Sequence, residues 1–274
     1  MPISRRLINL SVVAGFVLVA PQTNSHAADL PGSVQYEATT DSGLSFSIVP
    51  FYFWVPGLNG TAGVLGTTAE IDITPIDVIE NLGDYLDSLD GLYKGTGEVR
   101  YREFGLLYDV FHTEVSSADE IDLGIISPIA LDVGFSMTMA TLAGSYRFHE
   151  SANGYIAGLA GVRIWDVNVD IGVDLNIVAL TASDGDTWVD PIIGGKGRFN
   201  LTENAYASGW AMIGGFGAGS DFMWDIWGNV GYQKNNWLDL FAGLRATGTE
   251  YQNGSFVWDI VQYGPVIGAT INLN

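Results

Sequence analysis

Between Trp237 and Thr247 the chain alternates without a break. Leu238, Leu240, Ala242, Leu244 and Ala246 interleave with Trp237, Asp239, Phe241, Gly243, Arg245 and Thr247. A period of two puts these sets on opposite faces of a strand. The last run, "QYGPVIGATINLN" (262–274), repeats the pattern. Tyr263, Pro265, Ile267, Ala269, Ile271 and Leu273 share one face, and Gly264, Gly268, Thr270 and Asn272 the other. A lipid bilayer is the solvent that rewards such a face almost to the last residue. A charge at mid-bilayer costs roughly 2–4 kcal/mol, so the apolar set meets lipid and the charged set points inward.

The same rhythm recurs as paired runs. "LSFSIVPFYFWV" (44–55) predicts a first strand. "LYKGTGEVRY" (92–101) and "FGLLYDVFHTEV" (104–115) are separated only by Arg102 and Glu103. Runs 131–149 and 154–171 flank "ESAN", 188–201 and 205–215 flank "TEN", and 222–232 and 237–251 flank "QKNN". Run 256–273 closes the chain. Outer-membrane barrels have short periplasmic turns, longer outer loops and an even strand number. The short turns near 102–103, 150–153, 202–204 and 233–236, with both termini periplasmic, give ten membrane strands. The outer loops are then 56–91, 116–130, 172–187, 216–221 and 252–255. Residues 62–73 stay in the first outer loop, because an eleventh strand would put the C-terminus outside. A weak strand at 173–182 would restore an even count of twelve, which is the alternative. Thr74-Pro75 reads as a helix start, and the spacing of Ile76, Ile79, Leu82, Tyr85, Leu86 and Leu89 predicts a short amphipathic helix over 75–89.

The fold class is therefore all-β: a closed antiparallel transmembrane β-barrel of about ten strands, with a short helix in the first long loop. Alternation places ten charges on the lumen side: Glu98, Arg100, Asp109, Arg147, Arg163, Lys196, Arg198, Asp225, Asp239 and Arg245. Tyr101, Phe104, Tyr108, Tyr146, Phe148, Phe199, Tyr232 and Trp237 cluster near the short turns, where a periplasmic aromatic girdle belongs. A soluble sandwich or lipocalin-like barrel would also alternate, but would carry more surface Lys and Arg.

Composition narrows the setting. Arg5 and Arg6, the apolar run Leu7–Ala20, and Ser25 and Ala27 fit a secretory signal peptide over 1–27. Residues 28–43 form a polar periplasmic lead-in and 44–274 the barrel. The full chain has 11 basic and 31 acidic residues; without the leader's two arginines the count is 9 to 31, net −22, which argues against nucleic-acid binding. Cysteine is absent, which excludes thiol catalysis and cysteine metal sites.

Several stretches resemble a widespread family of bacterial outer-membrane β-barrel proteins of unassigned function. They are "LAGVRIWDVNV" (159–169), "WVDPIIGGKGRF" (188–199), "IGGFGAGSDFMW" (213–224), "AGLRATGTEY" (242–251) and "GPVIGATINL" (264–273), with "FWVPGLNGTAGV" (53–64) and "EFGLLYDVFH" (103–112) in the first half. The resemblance implies bacterial outer-membrane localisation and brings no chemistry with it. Tyr263, Ile271 and Leu273 are similar to the C-terminal sorting signal of such proteins. Leu273 stands where most have a final Phe, and Asn274 follows it.

Three functions fit. A mixed lumen of four acids and six bases suits a salt-bridged, side-chain-filled interior, and hence a structural or surface-binding role. A small porin-like diffusion channel is the alternative. The third, an outer-rim hydrolase, would rest on His112, but alternation puts His112 and Asp109 on opposite faces. His149 falls at a periplasmic turn. "GGFGAGSD" (214–221) lacks the Lys-Ser/Thr of a phosphate loop and reads as a flexible outer loop. The outer-loop acids Asp84, Asp87, Asp90, Asp119, Glu120, Asp122, Asp170, Asp174, Asp184 and Asp186 read as a solvated rim; the weaker reading is oxygen ligands for Ca²⁺ or Mg²⁺ bridging to lipopolysaccharide. The expected partners are outer-membrane lipid, lipopolysaccharide and the barrel-assembly machinery, with the protein a monomer, not an enzyme, and without a cofactor.

Overall fold

The computed structural model describes residues 43–121, 129–174 and 179–273. The expected leader, and the lead-in apart from Gly43, lie outside the described residues. In chain order the elements are β1 (Leu44–Val49), β2 (Tyr52–Trp54), β3 (Gly57–Val64), β4 (Thr67–Ile73), α1 (Pro75–Glu80), α2 (Leu82–Asp87), β5 (Leu89–Tyr101), β6 (Phe104–Ile121), β7 (Ile129–Ser151), β8 (Gly154–Asp174), β9 (Ala179–Asn200), β10 (Ala205–Gly214), β11 (Phe222–Gln233), β12 (Leu238–Asn253) and β13 (Phe256–Leu273).

From β5 to β13 each strand pairs antiparallel with the next, and β13 returns to the start of the chain. Its free edge carries three segments in succession: Phe46 of β1 opposes Leu273, Trp54 of β2 opposes Val266, and Gly63 of β3 opposes Val257. On its other edge β1 pairs β5, with Ser47 opposite Glu98. The segments β1, β2 and β3 act as one wall strand, and the result is a closed ten-stranded antiparallel barrel. Closure joins the two ends of the sheet through β1, which pairs both β13 and β5, while β2 and β3 pair β13 without a ladder to β5; an unpaired backbone group in hydrocarbon costs several kcal/mol.

The first wall strand carries a bulge. Ile48 opposes Ile271 while Tyr52 opposes Gly268, so one extra residue lies between them. Pro50 and Phe51 are both exposed, and the buried side switches from Val49 to Tyr52 and Trp54. Pro50 has no N–H to give the ladder, which places the irregularity there.

Three sequence expectations change. The first outer loop does not begin at residue 56: β3 stays in the ladder, and Leu58, Ala62 and Val64 pack against the interior cluster. β4 then folds back on β3 through a turn at Leu65 (φ 54°) and Gly66 (φ 79°). It pairs with β3 alone, so the strand count is unaffected. The single helix over 75–89 is two, split at Asn81. The first is capped as its sequence implies: Thr74 Oγ1 accepts the Asp77 N–H at 3.2 Å, and the Asp77 carboxylate accepts the Thr74 N–H at 2.7 Å. The Thr74 hydroxyl also donates to that carboxylate at 2.7 Å, and this bond together with the one from the Thr74 N–H holds the Asp77 carboxyl below the usual range. Finally, the expected outer loops 116–130 and 172–187 are mostly strand. β6 and β7 stay paired to Ile121 and Ile129, and β8 and β9 to Asp174 and Ala179. The segment 173–182 is thus no separate strand; its described parts belong to that hairpin. A ladder once nucleated continues into water, where it no longer needs apolar side chains.

The lipid-facing band is visible as exposed apolar residues in alternation. On β8 it runs through Ile156, Val162 and Ile164 and gives way to Asn168 and Asp170. On β12 it includes Leu240 and Leu244, while Asp239, Arg245 and Thr247 are buried. Tyr101, Phe104, Tyr146, Phe148, Phe199, Tyr232 and Trp237 are exposed around the short turns, and Tyr108 is half-buried. At the chain end Tyr263 and Leu273 are exposed on the band and Ile271 is half-buried.

Leu244 is 68% exposed in the centre of this band. Leu244→Arg is expected to lower the stability of the vesicle-folded barrel by about 2–4 kcal/mol, read as a shift in urea midpoint. Glu203→Arg at a short turn is expected to change it by no more than about 0.5 kcal/mol.

Candidate functional site

The chemistry-bearing side chains converge inside the barrel, where the strand register arranges them in tiers. The middle tier is a buried ionic cluster. Arg245 of β12 places Nη2 2.6 Å from Asp109 Oδ2 of β6 and 2.7 Å from Asp225 Oδ2 of β11. Its Nη1 donates to the Tyr52 hydroxyl at 2.7 Å. Arg163 of β8 donates to the same Asp225 oxygen at 2.7 Å and, through Nε, to Thr141 Oγ1 at 2.8 Å. Trp210 Nε1 donates to the other Asp225 oxygen at 2.9 Å. The Arg245 guanidinium lies 5.3 Å from the ring centres of both Trp54 and Trp210. All four charged side chains are fully buried, and two arginines against two aspartates leave no net charge. That balance makes the burial tolerable, since unpaired ions at these positions would each carry a desolvation penalty of several kcal/mol.

The tier toward the short turns holds the other expected charges. Lys196 pairs with Glu98, whose carboxylate also accepts from Ser145 Oγ at 2.7 Å. Arg198 pairs with Asp239 at 3.1 Å and covers the Tyr206 ring at 3.5 Å. Arg147 covers Tyr155 at 3.7 Å and reaches Glu150 at 3.1 Å. Arg100 is buried and donates to the Arg102 carbonyl at 3.3 Å. Here lies a pocket of about 140 Å³, bordered by Ser47, Thr96, Tyr155, Tyr206, Ser208 and Asn229.

Toward the long-loop end the interior is aromatic. Tyr251 stacks on Trp188 at 3.8 Å and 3°, and Trp188 lies parallel to Trp165 at 5.9 Å. Phe135 of β7 stacks on Trp258 of β13 at 5.8 Å. Two buried charges here escaped the sequence list. Lys94 donates to the Trp54 carbonyl at 2.6 Å and sits 4.7 Å from the Phe111 ring. Asp190 accepts from Trp165 Nε1 at 3.0 Å, from Ser220 Oγ at 2.7 Å and from the Ser220 N–H at 2.6 Å. Alternation would have found both: Lys94 shares its face with Glu98, and Asp190 with Lys196.

Ser220 changes the reading of residues 214–221 as a flexible loop. Its hydroxyl also accepts from Trp188 Nε1 at 2.8 Å, and the residue is fully buried. A Cβ on Gly219 would fall 2.6 Å from an Asp190 oxygen, so glycine permits this close approach. The loop is pinned to the barrel by hydrogen bonds that a sequence pattern does not announce.

At the rim, Asp186 accepts from Tyr251 OH at 2.6 Å and Asn253 Nδ2 at 2.7 Å. Burial pushes its carboxyl up, but the bonds from Tyr251, Asn253 and the Thr187 N–H outweigh this and hold it below the usual range. Asp184 accepts the Leu65 N–H at 2.6 Å, tying the β3–β4 turn to β9. Asp122 lies outside the described residues, and no group of three or more potential metal ligands is present among those described. His112 lies on the outward face, 2.9 Å from Thr138 Oγ1, while Asp109 is inside. His149 is exposed at the short-turn end.

No protein-family model matches the sequence, and no curated protein matches it. Solved structures do. The outer-membrane protease OmpT from Escherichia coli superposes with a TM-score of 0.52 at 9% identity, covering 88% of this chain and 100% of that one. The translocator domain of the autotransporter NalP from Neisseria meningitidis gives 0.42 at 9% identity, covering 87% and 90%. Ail, the attachment invasion locus protein of Yersinia pestis, gives 0.34 at 11% identity, covering 85% and 99%. The resemblance is one of fold, and the fold is that of bacterial outer-membrane β-barrel proteins.

Asp225→Asn would leave Arg163 and Arg245 sharing one carboxylate less. It is expected to cost about 3–5 kcal/mol in urea unfolding, with part of the loss recovered in the Arg163→Met/Asp225→Asn double variant. Ser220→Ala is expected to release the 215–221 loop, seen as faster chymotrypsin cleavage after the exposed Phe216 with no change in heat-dependent gel mobility.

Proposed function

We propose that this chain is a monomeric bacterial outer-membrane protein with a structural or surface-binding role, its barrel filled by its own side chains. The observation that carries the reading is the Arg163–Asp225–Arg245–Asp109 cluster, which joins β6, β8, β11 and β12 through the middle of the lumen. Packed aromatics lie on one side of it and the paired charges of the short-turn tier on the other. An outer-membrane site follows from the apolar band, the aromatic belt at the short turns, and a fold shared with an outer-membrane barrel. The bilayer and its lipopolysaccharide are then the immediate partners, and the barrel-assembly machinery inserts the chain, addressed by Tyr263, Ile271 and Leu273. The acidic shell disfavours nucleic acid.

The role is not catalytic. The solved protease shares the fold alone, at 9% identity. His112 faces outward with Thr138 as its partner, away from the buried Asp109.

Planar-bilayer recording of the refolded protein tests the proposal, with folding verified by a heat-dependent gel shift. The expected result is no discrete conductance step from the folded barrel. Reproducible steps would sink the filled-lumen reading in favour of a narrow diffusion channel.

A further inference from the structure

The chain entering α1 stands against the outside of the wall. Gly57 opposes Tyr263, whose side chain belongs to the outward face, so a side chain at 57 would also point outward. That space is taken: a Cβ on Gly57 would lie 2.5 Å from the Ile73 carbonyl oxygen and 2.6 Å from Pro75 Cδ, at the start of α1. Val55 lies on the same outward face and is only 6% exposed, although it has no place in the interior cluster. Its neighbour on that face, Phe53, is 37% exposed. Something outside the wall covers Val55, and the chain entering α1 is what the structure puts there.

The depth of this contact is fixed by the register. On β13 the exposed Asp259 is the last outward polar residue, and the apolar band starts at Val261, one outward position above Tyr263. The foot of α1 is therefore level with the top of the lipid band. From there α1 and α2 expose Ile76 at 64%, Ile79 at 50% and Leu86 at 52%, alongside the exposed acids Asp77, Glu80, Asp84 and Asp87. Water gives no reason to expose three large aliphatic residues on twelve or so positions of helix. A boundary does, because apolar side chains dip into acyl chains while carboxylates stay in the headgroups.

We propose that α1–α2 is a membrane-surface element, seated in the polar–apolar boundary of the leaflet at the long-loop end, with lipid as its occupant. The surface continues the band that already meets lipid, and it rests on the outer-membrane reading above. The contact adds apolar area beside a stretch of wall where β2 pairs β13 but not β5, and where the Lys94 side chain of β5 reaches across to the Trp54 carbonyl.

The absence of cysteine makes the test direct. Ile76→Cys, Ile79→Cys, Leu86→Cys, Asp84→Cys and Ile267→Cys variants are each labelled with an environment-sensitive fluorophore and refolded into phosphatidylcholine vesicles. The vesicles carry a nitroxide either near the headgroup or deep in the acyl chain. Labels at 76, 79 and 86 are expected to be quenched several-fold more by the shallow nitroxide than the label at 84, and several-fold less by aqueous iodide. The label at 267, in the lipid band, should respond to the deep nitroxide. Iodide reaching 76, 79 and 86 as readily as 84, with 267 still quenched from within the bilayer, would overturn the proposal and leave the barrel reading intact. Failure at 267 would overturn both. Quenching that appears only at high protein-to-lipid ratio would assign the surface to a second copy instead.

Discussion

Backbone hydrogen bonding in a solvent that offers none is the constraint on which the rest depends. In hydrocarbon every wall N–H and C=O must find a partner within the sheet, and a sheet satisfies this only by closing. β13 performs that closure, and its length explains the odd start of the chain. Eighteen residues of β13 face a first wall strand broken at Pro50 and again at Pro56. The broken strand follows β13 throughout, but it follows β5 only along β1. Above that point Lys94 substitutes a side-chain donor for a missing rung by bonding the Trp54 carbonyl.

Closure sets the interior problem as well. Alternation sends every second residue into the lumen, where charged side chains leave water for an enclosed, mostly apolar space. Arginines and aspartates can occupy it only together. Arg245 bonds two aspartates and Asp225 bonds two arginines, so each ion screens the next and the cluster is neutral as a unit. The apolar side chains around it lower the local dielectric, which strengthens these bonds and raises the penalty for breaking any one.

The wall was legible in the sequence because it follows one rule of period two. Asp239 and Arg245 fall inside and Leu240 and Leu244 outside, as parity requires, and the short turns set the count of ten. What parity does not carry is distance across the lumen. Nothing local marks Arg245 as the partner of Asp109, 136 positions away, or Asp190 as the acceptor for Ser220. The outer hairpins were also underestimated. Asn168 and Asp170 end the lipid face of β8, yet the ladder with β9 runs on to Asp174, since hydropathy reports the solvent and not the hydrogen bond. The bulge at Pro50–Phe51 was hidden for the opposite reason. An aromatic-rich run such as "IVPFYFWV" is apolar on both faces, so a one-residue shift leaves no trace in its pattern.

The distribution of charge separates the two ends of the molecule. The described bases sit inside or near the short turns: Arg100, Arg147, Lys196 and Arg198 in the lower tier, with Arg163 and Arg245 above them. The exposed long-loop rim instead carries acids, among them Asp72, Asp77, Glu80, Asp84, Asp87, Asp170 and Asp184. An acidic rim is repelled at long range by an anionic membrane surface. Attachment there must come from another source, and the apolar surface of α1 and α2 is suited to supply it, because burial in acyl chains is indifferent to the sign of the headgroups. Ile76, Ile79 and Leu86 thus hold the hairpin down while its carboxylates keep the polar face in water.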